Sequence, residues 1–310
     1  MLKEWKSKRQ LSLFVALALS AGGGGLLSDF QSAYAADVTG GNVVVDAGHP
    51  APTPVAAGNA HDIPGATDNR NVTGNKLTLE GLEYYGSLCG GYTQGNGDST
   101  YNEVILKNLP VGAHYGPPSV VGGWSNQGNA THNTVTLSKT RMHYPGPYNY
   151  SNLYGGYSNN PSADQITGNK LKITTTENGV ASINNFETME FVLNSGINSG
   201  DMMLKVRNTA QNFDWSKITV TGAADWMSGA TGSKRVILYS GPALTISNYN
   251  VTGTVAGNFE YGILSNTGTP NAPTVTASEI YFDGHQFKNA DITYNTGNPI
   301  PTGASVLYGG

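Results

Sequence analysis

The chain has 310 residues, of which 41 are Gly, 12% are charged and one is Cys, and its formal net charge is −4. That mild charge leaves no electrostatic footprint for nucleic acid or an anionic membrane surface, and one Cys excludes an internal disulfide framework and a Cys-based zinc site. With 38% hydrophobic residues the chain is long and apolar enough to bury a core, and abundant Gly, Asn, Thr and Ser fit an exported repetitive β protein better than a cytosolic enzyme.

Lys3, Lys6, Lys8 and Arg9 precede an apolar run from Leu11 to Leu19. Ala33-Tyr34-Ala35 then forms an A-x-A cleavage pattern before Ala36, so residues 1–35 read as a secretory signal peptide. The run is short for a membrane span, and Gly22 to Gly25 follow it. Residues 36–70 are rich in Ala, Pro and Gly, with one strand-like run at 42–46, and read as an N-terminal lead or cap.

Residues 71–175 are a repeat. Asn-x-(Leu/Val)-x-(Leu/Ile) occurs at Asn75-Leu77-Leu79, Asn102-Val104-Leu106, Asn133-Val135-Leu137 and Asn169-Leu171-Ile173. Between these copies lie Leu88-Cys89-Gly90-Gly91-Tyr92, Val120-Val121-Gly122-Gly123-Trp124 and Leu153-Tyr154-Gly155-Gly156-Tyr157. The period-2 alternation marks strands with one buried face. A unit of roughly 32 residues without helical periodicity buries its apolar side only by stacking on its neighbours. The spacing predicts an all-β fold, a parallel β-solenoid (β-helix), with an Asn column, an aliphatic column and an aromatic column at Tyr92, Trp124 and Tyr157. Stacked Asn side chains are expected to hydrogen-bond along their column. Gly-Gly and Gly-Asn steps are expected to supply the positive φ of tight corners. Cys89, in the position of Val121 and Tyr154, reads as a packing residue.

From residue 176 to 310 the period weakens. Strand-like runs remain at Glu190–Leu193, Met202–Val206, Lys217–Val220, Arg235–Tyr239, Leu244–Ile246 and Glu279–Phe282, with no convincing amphipathic helix between them. They read as degenerate coils of the same solenoid, or as a small separate β domain.

The distance from each repeat Asn to the next Gly-Gly varies, which places insertions on one face of the stack, often the binding face. The two longer insertions are Pro110–Pro118, with His114 and Tyr115, and Arg141–Ser151, with His143, Tyr144, Tyr148 and Tyr150. These six are the candidate ligand-binding residues, because exposed aromatic rings stack on sugars and anchor protein side chains. Catalytic signals are thin. Gly97-Asp98-Ser99 lies in a repeat turn, Gly95-Asn96-Gly97-Asp98 is a single calcium-turn-like tetrapeptide, and the carboxylates are dispersed. No catalytic residue, metal ligand or cofactor is nominated.

The signal ending in Ala33-Tyr34-Ala35-Ala36-Asp37, the Asn-x-Val-x-Leu units and the Leu-Tyr-Gly-Gly-Tyr-Ser segment resemble a bacterial autotransporter passenger domain of the adhesin or haemagglutinin-like kind. Ile183-Asn184-Asn185-Phe186-Glu187-Thr188-Met189 and Gly200-Asp201-Met202-Met203-Leu204 are similar to segments that follow such repeats. The resemblance covers about residues 20–210. It implies a β-helical adhesin on a Gram-negative cell surface, delivered through a C-terminal outer-membrane translocator barrel. Its partners would be glycans or proteins of host or neighbouring cells. The end at Val306-Leu307-Tyr308-Gly309-Gly310 reads as the start of another unit, so the barrel is expected in a missing C-terminal part. The rivals are a structural stalk or envelope-layer protein, and a β-helical polysaccharide lyase or hydrolase.

Overall fold

The computed structural model describes residues 38–45, 55–60, 69–81, 87–109, 119–140, 151–230, 232–248, 254–256, 259–265 and 274–286. Its strands recur in the order of the repeat. The first coil holds β1 (Val38–Thr39), β2 (Asn42–Val45) and β3 (Val55–Ala60), and the second β4 (Val72–Thr73), β5 (Lys76–Glu80) and β6 (Leu88–Thr93). The third holds β7 (Ser99–Thr100), β8 (Glu103–Leu109) and β9 (Ser119–Ser125), followed by β10 (Thr134–Thr140) and β11 (Asn152–Ser158). Next come β12 (Lys170–Ile173) and β13 (Asn178–Asn184), then β14 (Thr188–Val192), β15 (Met202–Ala210), β16 (Phe213–Asp214) and β17 (Ile218–Thr221).

Strands of like position pair in parallel and form three sheets along the stack. One is the small β1-β4-β7 sheet, and the second is seven-stranded, β17-β14-β12-β10-β8-β5-β2. The third runs from β3 through β6, β9, β11, β13 and β15. The protein is therefore an all-β parallel solenoid of about five turns spaced by about 31 residues, as the repeat predicts. The alternation explains the core: Leu77, Val104, Val135 and Leu171 are in register and fully buried, as are Leu88, Val120 and Leu153 on the opposite wall. Lys76, Glu103, Thr134 and Lys170, one residue away on each strand, share the outer face.

The Asn column forms a continuous ladder. Asn102 Oδ1 accepts from the backbone N–H of Asn75 at 3.1 Å and from its Nδ2 at 2.9 Å. Asn133 Oδ1 does the same for Asn102 at 3.0 and 3.1 Å, and Asn169 Oδ1 for Asn133 at 2.8 and 3.3 Å. All four side chains are essentially inaccessible to solvent. Each buried amide is satisfied by the next coil, so the column locks the register between coils.

The Gly-Gly pairs do not make corners. They lie inside β6, β9 and β11, and none of the six has positive φ. A Cβ on Gly91 would stand 2.6 Å from Asn102 Nδ2, and one on Gly123 would stand 2.6 Å from Asn133 Nδ2. Glycine is required there because the Asn ladder fills the space across the coil. The positive-φ corners are elsewhere, immediately before each ladder Asn, at Gly74, Tyr101, His132 and Gly168, and again at the far ends of β5, β8 and β10, at Gly81, Asn108 and Lys139.

Parallel stacking ends at β18 (Lys234–Ser247), which pairs with β15 in parallel. Beyond it come β19 (Thr254–Ala256), β20 (Phe259–Ser265) and β21 (Thr274–Gln286), and β21 pairs antiparallel with both β18 and β20. The degenerate coils read from the sequence therefore give way to an antiparallel end sheet. Within that sheet the β19–β20 pairing has a local reason: only two residues, Gly257-Asn258, join the strands, and so short a connection permits only antiparallel pairing. Arg235 of β18 clamps Asp283 of β21 with two bonds of 2.7 and 2.6 Å. A five-residue helix, α1 (Ala223–Met227), buries Trp226 and Met227 against this end, with Trp226 Nε1 donating to the Ile197 carbonyl at 3.0 Å. It is too short for a 3.6-residue period to show in the sequence.

Candidate functional site

The six candidate residues, His114, Tyr115, His143, Tyr144, Tyr148 and Tyr150, fall in 110–118 and 141–150, outside the described residues. The strands that bracket them are described. Leu109, which ends β8, pairs with Thr140, which ends β10, and Ser119, which opens β9, pairs with Asn152 of β11. Both connections therefore leave and rejoin the stack at matching positions of adjacent coils.

The expected aromatic column is present on the outer face of β6, β9 and β11. Tyr92 meets Trp124 with ring centroids 5.3 Å apart at 84°, and Trp124 meets Tyr157 at 5.4 Å and 82°. Tyr154 adds a further edge contact to Tyr157 at 5.6 Å. The rings are half-buried because each presents its edge to the next ring's face, the arrangement the ring quadrupole favours. Cys89 and Val121 lie beside them in register and are buried. Burial pushes the Cys89 thiol up to about 12, with its Sγ donating to the Gly91 carbonyl at 2.8 Å, so it packs as a small apolar group. Burial also raises the Tyr92 phenol, with Cys89 as a second cause.

A second aromatic feature stands at the corner before the ladder Asn. Tyr101 and His132 hold φ of 56° and 58°, the left-handed conformation that Gly74 and Gly168 adopt at the same corner of neighbouring coils. Their rings stack nearly flat, 4.8 Å apart at 24°. The His132 ring occupies the space a Gly168 side chain would need, while a Cβ on Gly74 would meet nothing within 4 Å. Tyr101 is 62% exposed. The corner's floor is polar. Glu187 accepts from the Gly168 N–H at 2.6 Å and from Lys217 Nζ at 2.7 Å, and the Lys217 bond holds its carboxyl below the usual range. Tyr101 and His132 are not among the six residues the sequence nominates, yet they carry a signal there: the residue before each repeat Asn runs Gly, Tyr, His, Gly.

The weaker sequence motifs are absorbed by the fold. Ser99 is fully buried, and its Oγ donates to the Gly91 carbonyl at 2.9 Å. Asp98 Oδ1 accepts from the Asn129 N–H at 2.7 Å, and Asn129 Oδ1 from the Asp164 N–H at 2.9 Å, so Asp98 is a rung of an exposed turn ladder. An open groove of about 570 Å³ is bordered by Glu177, Asn178, Asp201 and Lys205. Its polar groups serve the fold: the Asn178 amide is held by Thr140, Thr175 and Met203, and Asp201 Oδ2 accepts from the Asn198 N–H at 2.8 Å. Among the described residues no group of three or more His, Cys, Asp or Glu could hold a metal ion, and no helix is long and apolar enough to cross a membrane. No protein-family model, curated protein or solved structure matches the chain.

Proposed function

We propose that the chain is a surface-exposed passenger of the autotransporter kind, exported by residues 1–35, which binds glycans or proteins of host or neighbouring cells along one face of the solenoid. The observation that supports this is the matching of the loop roots, Leu109 with Thr140 and Ser119 with Asn152. Successive coils are about 4.8 Å apart, so an extended ligand lying along the axis would span the roots of both loops, and weak contacts would add. The binding residues in this reading are His114, Tyr115, His143, Tyr144, Tyr148 and Tyr150, and an outer-membrane barrel is the delivery partner. Alanine at Tyr115, Tyr144 and Tyr148 together should lower glycan-array and cell binding about tenfold or more in a protein with unchanged β circular dichroism. Undiminished binding would exclude the loops as the site.

A stalk without its own ligand is the second reading. It is favoured by the edge-to-face packing of Tyr92, Trp124 and Tyr157, which uses ring surface in contacts between coils. Such a protein would show no saturable binding on the same arrays. Export has a separate test. Expressed in a Gram-negative host, the mature chain should begin at Ala36 by N-terminal sequencing, and retention of Met1 in the cell envelope fraction would refute cleavage there.

A further inference from the structure

We propose that Tyr101 forms a ledge that seats one pyranose ring of a glycan over Gly74. Two observations meet at this corner. The first is strain. A bulky side chain in the left-handed region costs about 1–2 kcal/mol relative to glycine, yet Tyr101 and His132 occupy a corner where the coils on either side carry Gly74 and Gly168. Such strain is retained where the side chain has a use. The second is an open stacking position. His132 covers Gly168 and Tyr101 covers His132, so the ring stack climbs one rung per coil. At the next rung stands Gly74, where a side chain would meet nothing within 4 Å, and Tyr101 itself is 62% exposed.

The flanks of the ledge indicate which ring fits. On the small sheet, Thr73 and Thr100 pair in register with their hydroxyls 3.3 Å apart. Across the corner, Lys76 and Glu103 pair in register and form a 3.0 Å ion pair, with side chains 47% and 34% exposed. An exposed aromatic ring with hydroxyls on the strand before it and a carboxylate and ammonium on the strand after it matches a sugar ring, whose C–H face stacks while its rim hydroxyls both donate and accept. The ledge rests on the binding-protein reading for its ligand class alone. It uses no residue of the two long loops.

The test is saturation-transfer NMR of the mature chain with methyl pyranosides of glucose, galactose, mannose and N-acetylglucosamine. At least one should receive saturation, strongest on the protons of one ring face. Tyr101→Gly, the residue the preceding coil carries here as Gly74, should weaken that binding about tenfold, whereas Tyr101→Phe should stay within about twofold. Gly74→Asn, which tolerates the left-handed backbone and fills the open rung, should also abolish binding, and the triple alanine variant of Tyr115, Tyr144 and Tyr148 should not change it. Transfer to none of the four sugars, or full binding by Tyr101→Gly or Gly74→Asn, would overturn the ledge. Selective transfer to N-acetyl-tyrosinamide in place of the sugars would overturn the ligand class. Undiminished adhesion by the triple alanine variant, with a sugar signal that Tyr101→Gly still removes, would count against the loops alone and uphold the ledge.

Discussion

Replacing Asn133 by Ala should cost about 3–5 kcal/mol of unfolding free energy, from an orphaned buried donor and a cavity. Asn133 Oδ1 is the acceptor for both the backbone N–H and the Nδ2 of Asn102, and its own Nδ2 donates to the Ser99 carbonyl at 3.0 Å and to Asn169 Oδ1 at 3.3 Å. Its removal strands the buried Asn102 N–H and breaks the ladder in the middle of a stack in which each coil contacts only its immediate neighbours. Asn133→Asp is the sharper variant. The acceptor oxygen stays, but the second oxygen would face two acceptors, the Ser99 carbonyl and Asn169 Oδ1. Protonation relieves this, so the carboxyl's pKa in the folded state rises above its unfolded value. A group shifted that way contributes its full stability below the unfolded pKa and loses it as pH rises through the folded one. The Asp variant should therefore be closer to wild type at pH 4 than at pH 7. Urea titrations at both values measure this. A loss below about 1 kcal/mol for the Ala variant would mean that the ladder is not what holds the coils in register.

Gly123→Ala should be as damaging, although a methyl group in a strand ordinarily stabilises. The new Cβ would stand 2.6 Å from both Nδ2 and Oδ1 of Asn133 and 2.7 Å from its Cγ. The wall must move or the amide must leave the ladder, and either route costs about 3–5 kcal/mol by overpacking together with lost buried hydrogen bonds. Gly232→Ala is the matched control. Its Cβ would meet nothing within 4 Å and its φ is not positive, so it should gain about 0.4–1 kcal/mol by reducing unfolded-state entropy. Thermal melts of the two variants side by side test the contrast. Equal effects would mean that the close approach at Gly123 relaxes freely.

Much of the architecture was legible because the repeat is an energetic unit as well as a pattern. Leu77, Val104, Val135 and Leu171 alternate with polar residues at period 2, so the buried face follows from the strand pleat. The Asn column could be anticipated because a polar side chain recurring at one phase of a buried repeat must find its partner in the next copy. The glycines misled for an equally physical reason. Glycine serves both positive-φ corners and close approaches, and composition does not distinguish them. Only the wall-to-wall distance at Asn133 assigns Gly123 to the second use.

What the sequence by itself determined is the coil: its length, its strands, its inward residues and the Asn that ties it to its neighbours. These are local or strictly periodic, and the pleat and the repeat translate them directly into positions. The tertiary structure alone decided where the stack stops and what its corners offer. The parallel sheet ends at β18 because β21 returns along it and is clamped by Arg235 and Asp283, 48 residues apart. The Tyr101 ledge exists because three coils bring Gly74, Tyr101 and His132 to successive rungs of one corner. Such sites are set by contacts between coils, so their geometry appears only once the chain has wound back on itself.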